Sequence, residues 1–127
     1  MRYGDSRRIT VKEGEAKGKH VVLVDDMIQS GGTLLETGKA LLALGAASVS
    51  AFCTHGVFPN QAHTKFLDKT FRKVWITDSC PDKAAEIDGT GPFEVLSLAP
   101  LIAQIVDLST TQSADTTSQR RLGLSRL

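Results

Sequence analysis

The sequence predicts an α/β domain built on a mostly parallel sheet flanked by helices. Three observations carry this. Apolar, β-branched runs alternate with segments of helical spacing. Glycine-containing polar turns separate them. The polar clusters Asp25-Asp26, Thr54-His55-Gly56 and Thr77-Asp78-Ser79 each fall at the carboxyl end of an expected strand, the edge where parallel sheets bind ligands.

The elements follow in order. Arg8–Lys12 alternates as a short strand, and residues 13–18 are a turn. Val21–Asp25 is a continuous apolar run, as in a strand buried on both faces of a parallel sheet. Thr33–Leu44 places leucines at helical spacing, and Gly45 stands where a left-handed cap belongs. Ser48–Thr54 is the next strand, and residues 55–59 form a loop. Asn60–Lys69 reads as a short helix, Val74–Thr77 as a strand closed by residues 78–81, and Phe93–Leu96 as a further strand. Ser97 caps a last helix over Leu98–Leu108, where Pro100 falls in the first turn. Residues 1–108 thus form one domain. Residues 109–127 are rich in Ser, Thr, Gln and Arg; Asp115 against Arg120, Arg121 and Arg126 leaves them at +2, and we expect a disordered tail.

Composition narrows the function classes. The 127 residues suffice for one core, with 41% hydrophobic and 23% charged residues. A net charge of +1 gives no electrostatic case for nucleic acid or an anionic membrane. Cys53 and Cys80, the two cysteines, do not make a disulfide framework and suit a reducing compartment. No apolar run approaches a membrane span, and Met1-Arg2-Tyr3-Gly4-Asp5 lacks the apolar core of a secretory signal. The expected location is cytoplasmic, with an upstream transit peptide left open.

The chemistry concentrates in residues 21–33. Gly31 and Gly32 let the backbone approach a ligand, and the N–H groups of Ser30 to Thr33 can form an anion nest at a helix N-terminus. The loop has no lysine, unlike the GxxxxGK[ST] nucleotide loop, so backbone amides must carry a phosphate. Asp25 and Asp26 would repel that phosphate; they suit vicinal hydroxyls or a divalent cation instead. Successive strand side chains alternate faces, so both acids reach one ligand only if the chain twists there. The combination describes a pocket for a phosphorylated ribose.

The run Val21–Thr33 resembles the phosphoribosyl diphosphate motif of type I phosphoribosyltransferases and ribose-phosphate diphosphokinases. Val49–Pro59 resembles the Thr-His-Gly stretch of the diphosphokinases. Trp75–Pro81, Pro92–Leu98 and Gln29 are similar to their plant-type, phosphate-independent class. The likeness covers roughly residues 2–108. It implies a phosphoribosyltransferase-like fold, incomplete at its amino end, from the carboxyl-terminal part of a two-domain, homo-oligomeric enzyme. It implies that Gln29, Ser30, Gly31, Gly32 and Thr33 bind the 5-phosphate of ribose 5-phosphate. Asp25 and Asp26 would hold the ribose hydroxyls, with Mg2+. The implied reaction moves diphosphate from ATP to ribose 5-phosphate. Arg2 matches a catalytic loop arginine; the loop's lysine and the amino-terminal ATP-binding domain would precede Met1, so the chain alone is expected to be inactive. Two alternatives stay open, a base phosphoribosyltransferase and a non-catalytic subunit associated with an active synthetase.

The remaining candidates read as structural. His20, His55 and His63 have no partner pattern, Cys53 and Trp75 suit core positions, and Cys80 falls in a loop. Asp78 and Ser79 sit at the ligand edge.

Overall fold

The structure, a computed structural model, describes residues 14–107. The expected strand Arg8–Lys12, Arg2 and the expected tail lie outside the described residues. Four strands, β1 (His20–Ile28), β2 (Ser48–Gly56), β3 (Val74–Thr77) and β4 (Phe93–Leu96), form one sheet in the order β1-β2-β3-β4. All neighbours are parallel, with Leu23 beside Ala51, Ala51 beside Val74, and Val74 beside Phe93. Between them run helix α1 (Gly32–Ala43), a 3-10 segment (Pro59–Asp68) and helix α2 (Pro81–Ile87).

The strand order steps in one direction, so right-handed crossovers bring every connection to the same face. The core bears this out. Leu35 and Leu41 of α1, Ala62 and Phe66 of the 3-10 segment, and Ile87 of α2 are buried with Val49, Ala51, Cys53, Val74, Ile76 and Phe93. Residues of the other alternation point away, and Val22 and Val24 are exposed. Burial of β1 on both faces is therefore corrected: among the described residues β1 is an edge strand, Val22 and Val24 on its second face are exposed, and α1, α2 and the 3-10 segment cover the other face. Trp75, expected in the core, is half-buried on that second face for the same reason.

Two local features fix the ends of α1. At its close Gly45 takes φ 89°, with Gly45 N–H donating to Leu42 O (2.9 Å) and Ala46 N–H to Leu41 O (3.1 Å). This is the paired-bond cap that a left-handed glycine permits. Along its length Gly38 lets the helix approach Thr70 and Phe71, whose atoms lie 2.9 Å from where a Cβ would stand.

The segment after β2 is a 3-10 stretch broken by left-handed residues at Asn60 and Gln61 rather than a regular helix. Aromatic packing holds it. Phe58, Phe66 and Phe93 meet at ring separations of 5.3–5.6 Å, and Phe71 stacks on Phe66 at 5.6 Å. Edge-to-face contacts of this kind add about 0.5–1.5 kcal/mol each beyond area burial. Helix α2 was not anticipated from the sequence; it has seven residues, opens on Pro81 and buries Ala84 and Ile87.

Residues 97–107 belong to a second compact unit. Residues 99–107 are helical there, and Ser97 Oγ accepts from Ala99 N–H at 3.3 Å, in accord with the expected cap.

Candidate functional site

The carboxyl end of β1 and the start of α1 enclose a cavity of about 380 Å3, lined by Asp25, Met27 and the continuous stretch 28–34. That volume lies in the range of small-molecule sites, about 300–1,000 Å3. Of the residues singled out above, Asp25, Gln29, Ser30, Gly31, Gly32 and Thr33 therefore share one cavity. Asp26 does not line it. Strand structure continues to Ile28, so Asp25 and Asp26 keep the alternation of a strand, and Asp26 N–H donates to Asp25 Oδ1 at 2.9 Å.

Gly31 is the N-cap of α1, with φ 70° and ψ 0° and no side-chain cap. The first intrahelical bond runs from Leu35 N–H to Gly31 O at 3.0 Å. The amides of Gly32, Thr33 and Leu34 precede it and so have no intrahelical acceptor. No acidic residue occupies the first turn. Donors, helix dipole and uncapped geometry together suit this end to an anion.

The loop rests on residues that sequence reasoning did not assign to it. A Cβ on Gly31 would collide with the Phe66 ring. Phe66 is fully buried, so the loop backbone lies directly on the aromatic cluster. Beside it Lys65 Nζ donates to Ser30 O at 3.3 Å. These residues follow the loop by some 35 positions. No local pattern marks them, because the contact is made by the crossover and not by the chain next to it.

A second polar group spans β2 and β3 at the same edge. Thr77 Oγ1 and Ser79 Oγ both donate to Thr54 O, at 2.7 and 2.9 Å. With its proton so used, Ser79 Oγ accepts from His55 Nδ1–H at 2.9 Å. His55 and Ser79 thereby tie the two strand ends together and do not line the cavity. Cys53 lies fully buried beneath this edge, and burial pushes its thiol up to about 11. Cys80 is half-buried as the N-cap of α2.

Among the described residues no three His, Cys, Asp or Glu side chains cluster as a protein-only metal site. That does not conflict with Mg2+, which keeps waters and takes one or two carboxylates together with substrate oxygens. Asp25 at the cavity wall fits such a role.

A profile of the phosphoribosyl transferase domain matches residues 3–88. The chain is 49% identical over 114 residues to ribose-phosphate pyrophosphokinase 4 of Arabidopsis thaliana, covering 85% of this chain and 34% of that protein. It is 47% identical over 115 residues to the mitochondrial ribose-phosphate pyrophosphokinase 3 of Spinacia oleracea, covering 85% of this chain and 28% of that protein. The crystal structure of phosphoribosylpyrophosphate synthetase from Mycobacterium smegmatis superposes with a TM-score of 0.64 at 32% identity, over 79% of this chain and 33% of that one. The chain spans about a third of the length of these relatives.

Proposed function

The chain belongs to the phosphoribosyl transferase domain family, and from that premise we propose that it supplies the ribose 5-phosphate site of a ribose-phosphate diphosphokinase. The carrying observation is that the uncapped amino end of α1 and Asp25 line one cavity. An anion nest and a carboxylate repel each other's ligands, so a molecule that satisfies both must have phosphate at one end and hydroxyls at the other. Ribose 5-phosphate has that form.

In this reading the amides from Ser30 to Thr33, with Gln29 and the Ser30 and Thr33 hydroxyls, hold the 5-phosphate. Asp25 accepts from a ribose hydroxyl and so orients the anomeric hydroxyl. Asp26, on the opposite alternation, would hold Mg2+ through its waters, and the ion would supply charge neutralisation for the transferred diphosphate. The chain's own residues bind and orient the acceptor sugar. ATP, the contribution of Arg2 and the homo-oligomeric state belong to the longer enzyme that the relatives represent, and we propose that this chain alone makes no 5-phosphoribosyl 1-diphosphate. We place it in the cytoplasm; the name of the spinach relative makes an organelle the compartment to test beside it.

Calorimetry with ribose 5-phosphate and 5-phosphoribosyl 1-diphosphate tests this. The expected result is binding of ribose 5-phosphate at least as tight as that of the diphosphate. Clear preference for the diphosphate would favour a base phosphoribosyltransferase, and ATP-dependent product from this chain alone would overturn its acceptor-only role.

A further inference from the structure

The phosphate loop carries no lysine, yet a phosphate monoester brings about 1.5–2 negative charges at neutral pH. Helix dipole and amides supply only partial charges against it. The fold brings a full cation to the loop from elsewhere. Lys65 Nζ donates to Ser30 O at 3.3 Å, and Ser30 is itself on the cavity wall. An ammonium has three donors, so this bond leaves two of them. Among the described residues no carboxylate pairs with it, since the ion pairs there involve Lys39, Lys73 and Lys83. The base of the side chain is anchored, because the next residue, Phe66, is fully buried under Gly31 among Phe58, Phe71 and Phe93.

We infer that Lys65 is the cation of this phosphate site, a positioning residue that holds the Ser30 carbonyl and makes the loop prefer a phosphate to a neutral group. The inference rests on the ribose 5-phosphate reading only for the identity of the sugar; the phosphate preference stands on the loop itself. Lys65 does not line the cavity, so it acts through Ser30 and through its field. An exposed charge of this kind is screened by salt.

The test titrates the 15N-labelled 127-residue chain with inorganic phosphate and with ribose 5-phosphate, following the Gly31 and Gly32 amides at low and high salt. Lys65→Met is expected to weaken both ligands about two- to five-fold, at the scale of one exposed charge acting without direct contact, and to flatten the salt dependence. Lys65→Arg should restore most of the affinity. A merely structural lysine would alter neither the salt slope nor the phosphate response. Unchanged affinity and salt slope in Lys65→Met would overturn the inference. Equal binding of inorganic phosphate and ribose 5-phosphate by the unaltered chain, with Lys65→Met still weaker, would overturn the sugar reading and sustain Lys65. No binding of either ligand would overturn both.

Discussion

Replacing Gly31 by alanine places one methyl group where the loop backbone meets the aromatic cluster. Two costs can be worked from the structure. Gly31 holds φ 70°, a left-handed conformation that costs an L-residue about 1–2 kcal/mol. The new Cβ also enters the Phe66 ring. That ring cannot retreat, since it is fully buried with Phe58, Phe71 and Phe93 each 5.6 Å away. Overpacking of such a site costs about 1–3 kcal/mol. Gly31→Ala should therefore lose about 2–5 kcal/mol. Urea unfolding followed through Trp75, the single tryptophan, should show the midpoint falling by about 1–2 M for an ordinary urea dependence. Phe66→Leu in the same chain relieves the overlap, so the double variant should lose at least about 1 kcal/mol less than the two single losses added. A Gly31→Ala loss below about 0.5 kcal/mol, or strict additivity with Phe66→Leu, would refute the claim that the loop is seated on this ring.

Asp68 pairs with Lys39 at 2.8 Å and accepts from Thr70 N–H at 3.0 Å; these hold its carboxyl down at about 2, from an ordinary value of 3.8. The stabilisation is therefore present above the ordinary value and is lost as pH falls through about 2; because the pair is partly exposed and screened, Asp68→Asn should cost no more than about 1 kcal/mol at neutral pH, shrinking in acid and in salt, as read by unfolding curves across pH. Burial keeps Cys53 protonated up to about 11, so its contribution holds below the ordinary 9.0 and disappears as pH rises past 11. At neutral pH a thiol reagent should label half-buried Cys80 in the native chain and reach Cys53 only on unfolding, with mass spectrometry to locate the adduct. Val24 is 76% exposed on the edge strand, so Val24→Lys should change stability by no more than about 0.5 kcal/mol and reduce self-association in light scattering; a loss above about 2 kcal/mol would mean that this face is packed.

The local parts of the fold were legible because their signals are local. The Val21–Asp25 run, the leucine spacing of α1 and Gly45 at its end all depend on neighbours within a turn or two, and β1, α1 and the glycine cap stand where those signals place them. The cavity wall was legible for the same reason, being one continuous stretch from β1 into α1. Signals set by tertiary packing were not. The segment after β2 reads as a helix, but Asn60 and Gln61 adopt left-handed backbone so that Phe58 and Phe66 can both enter the core. Helix α2 had a usable sign in Pro81 followed by Asp82 and the Ala84–Ile87 spacing, yet seven residues give too little periodicity to stand out. The face of Trp75 and the exposure of Val24 follow from strand order, which no single run encodes. Lys65 and Phe66 reach the loop only through the crossover.

In the proposed complex phosphate sits on the amino end of α1 while the sugar faces Asp25. A crystal structure of the chain with ribose 5-phosphate tests it most directly. Phosphate oxygens are expected at about 2.7–3.2 Å from the Gly32 and Thr33 amides, with a ribose hydroxyl donating to Asp25. A phosphate bound away from residues 30–33, or a ribose turned from Asp25, would contradict it.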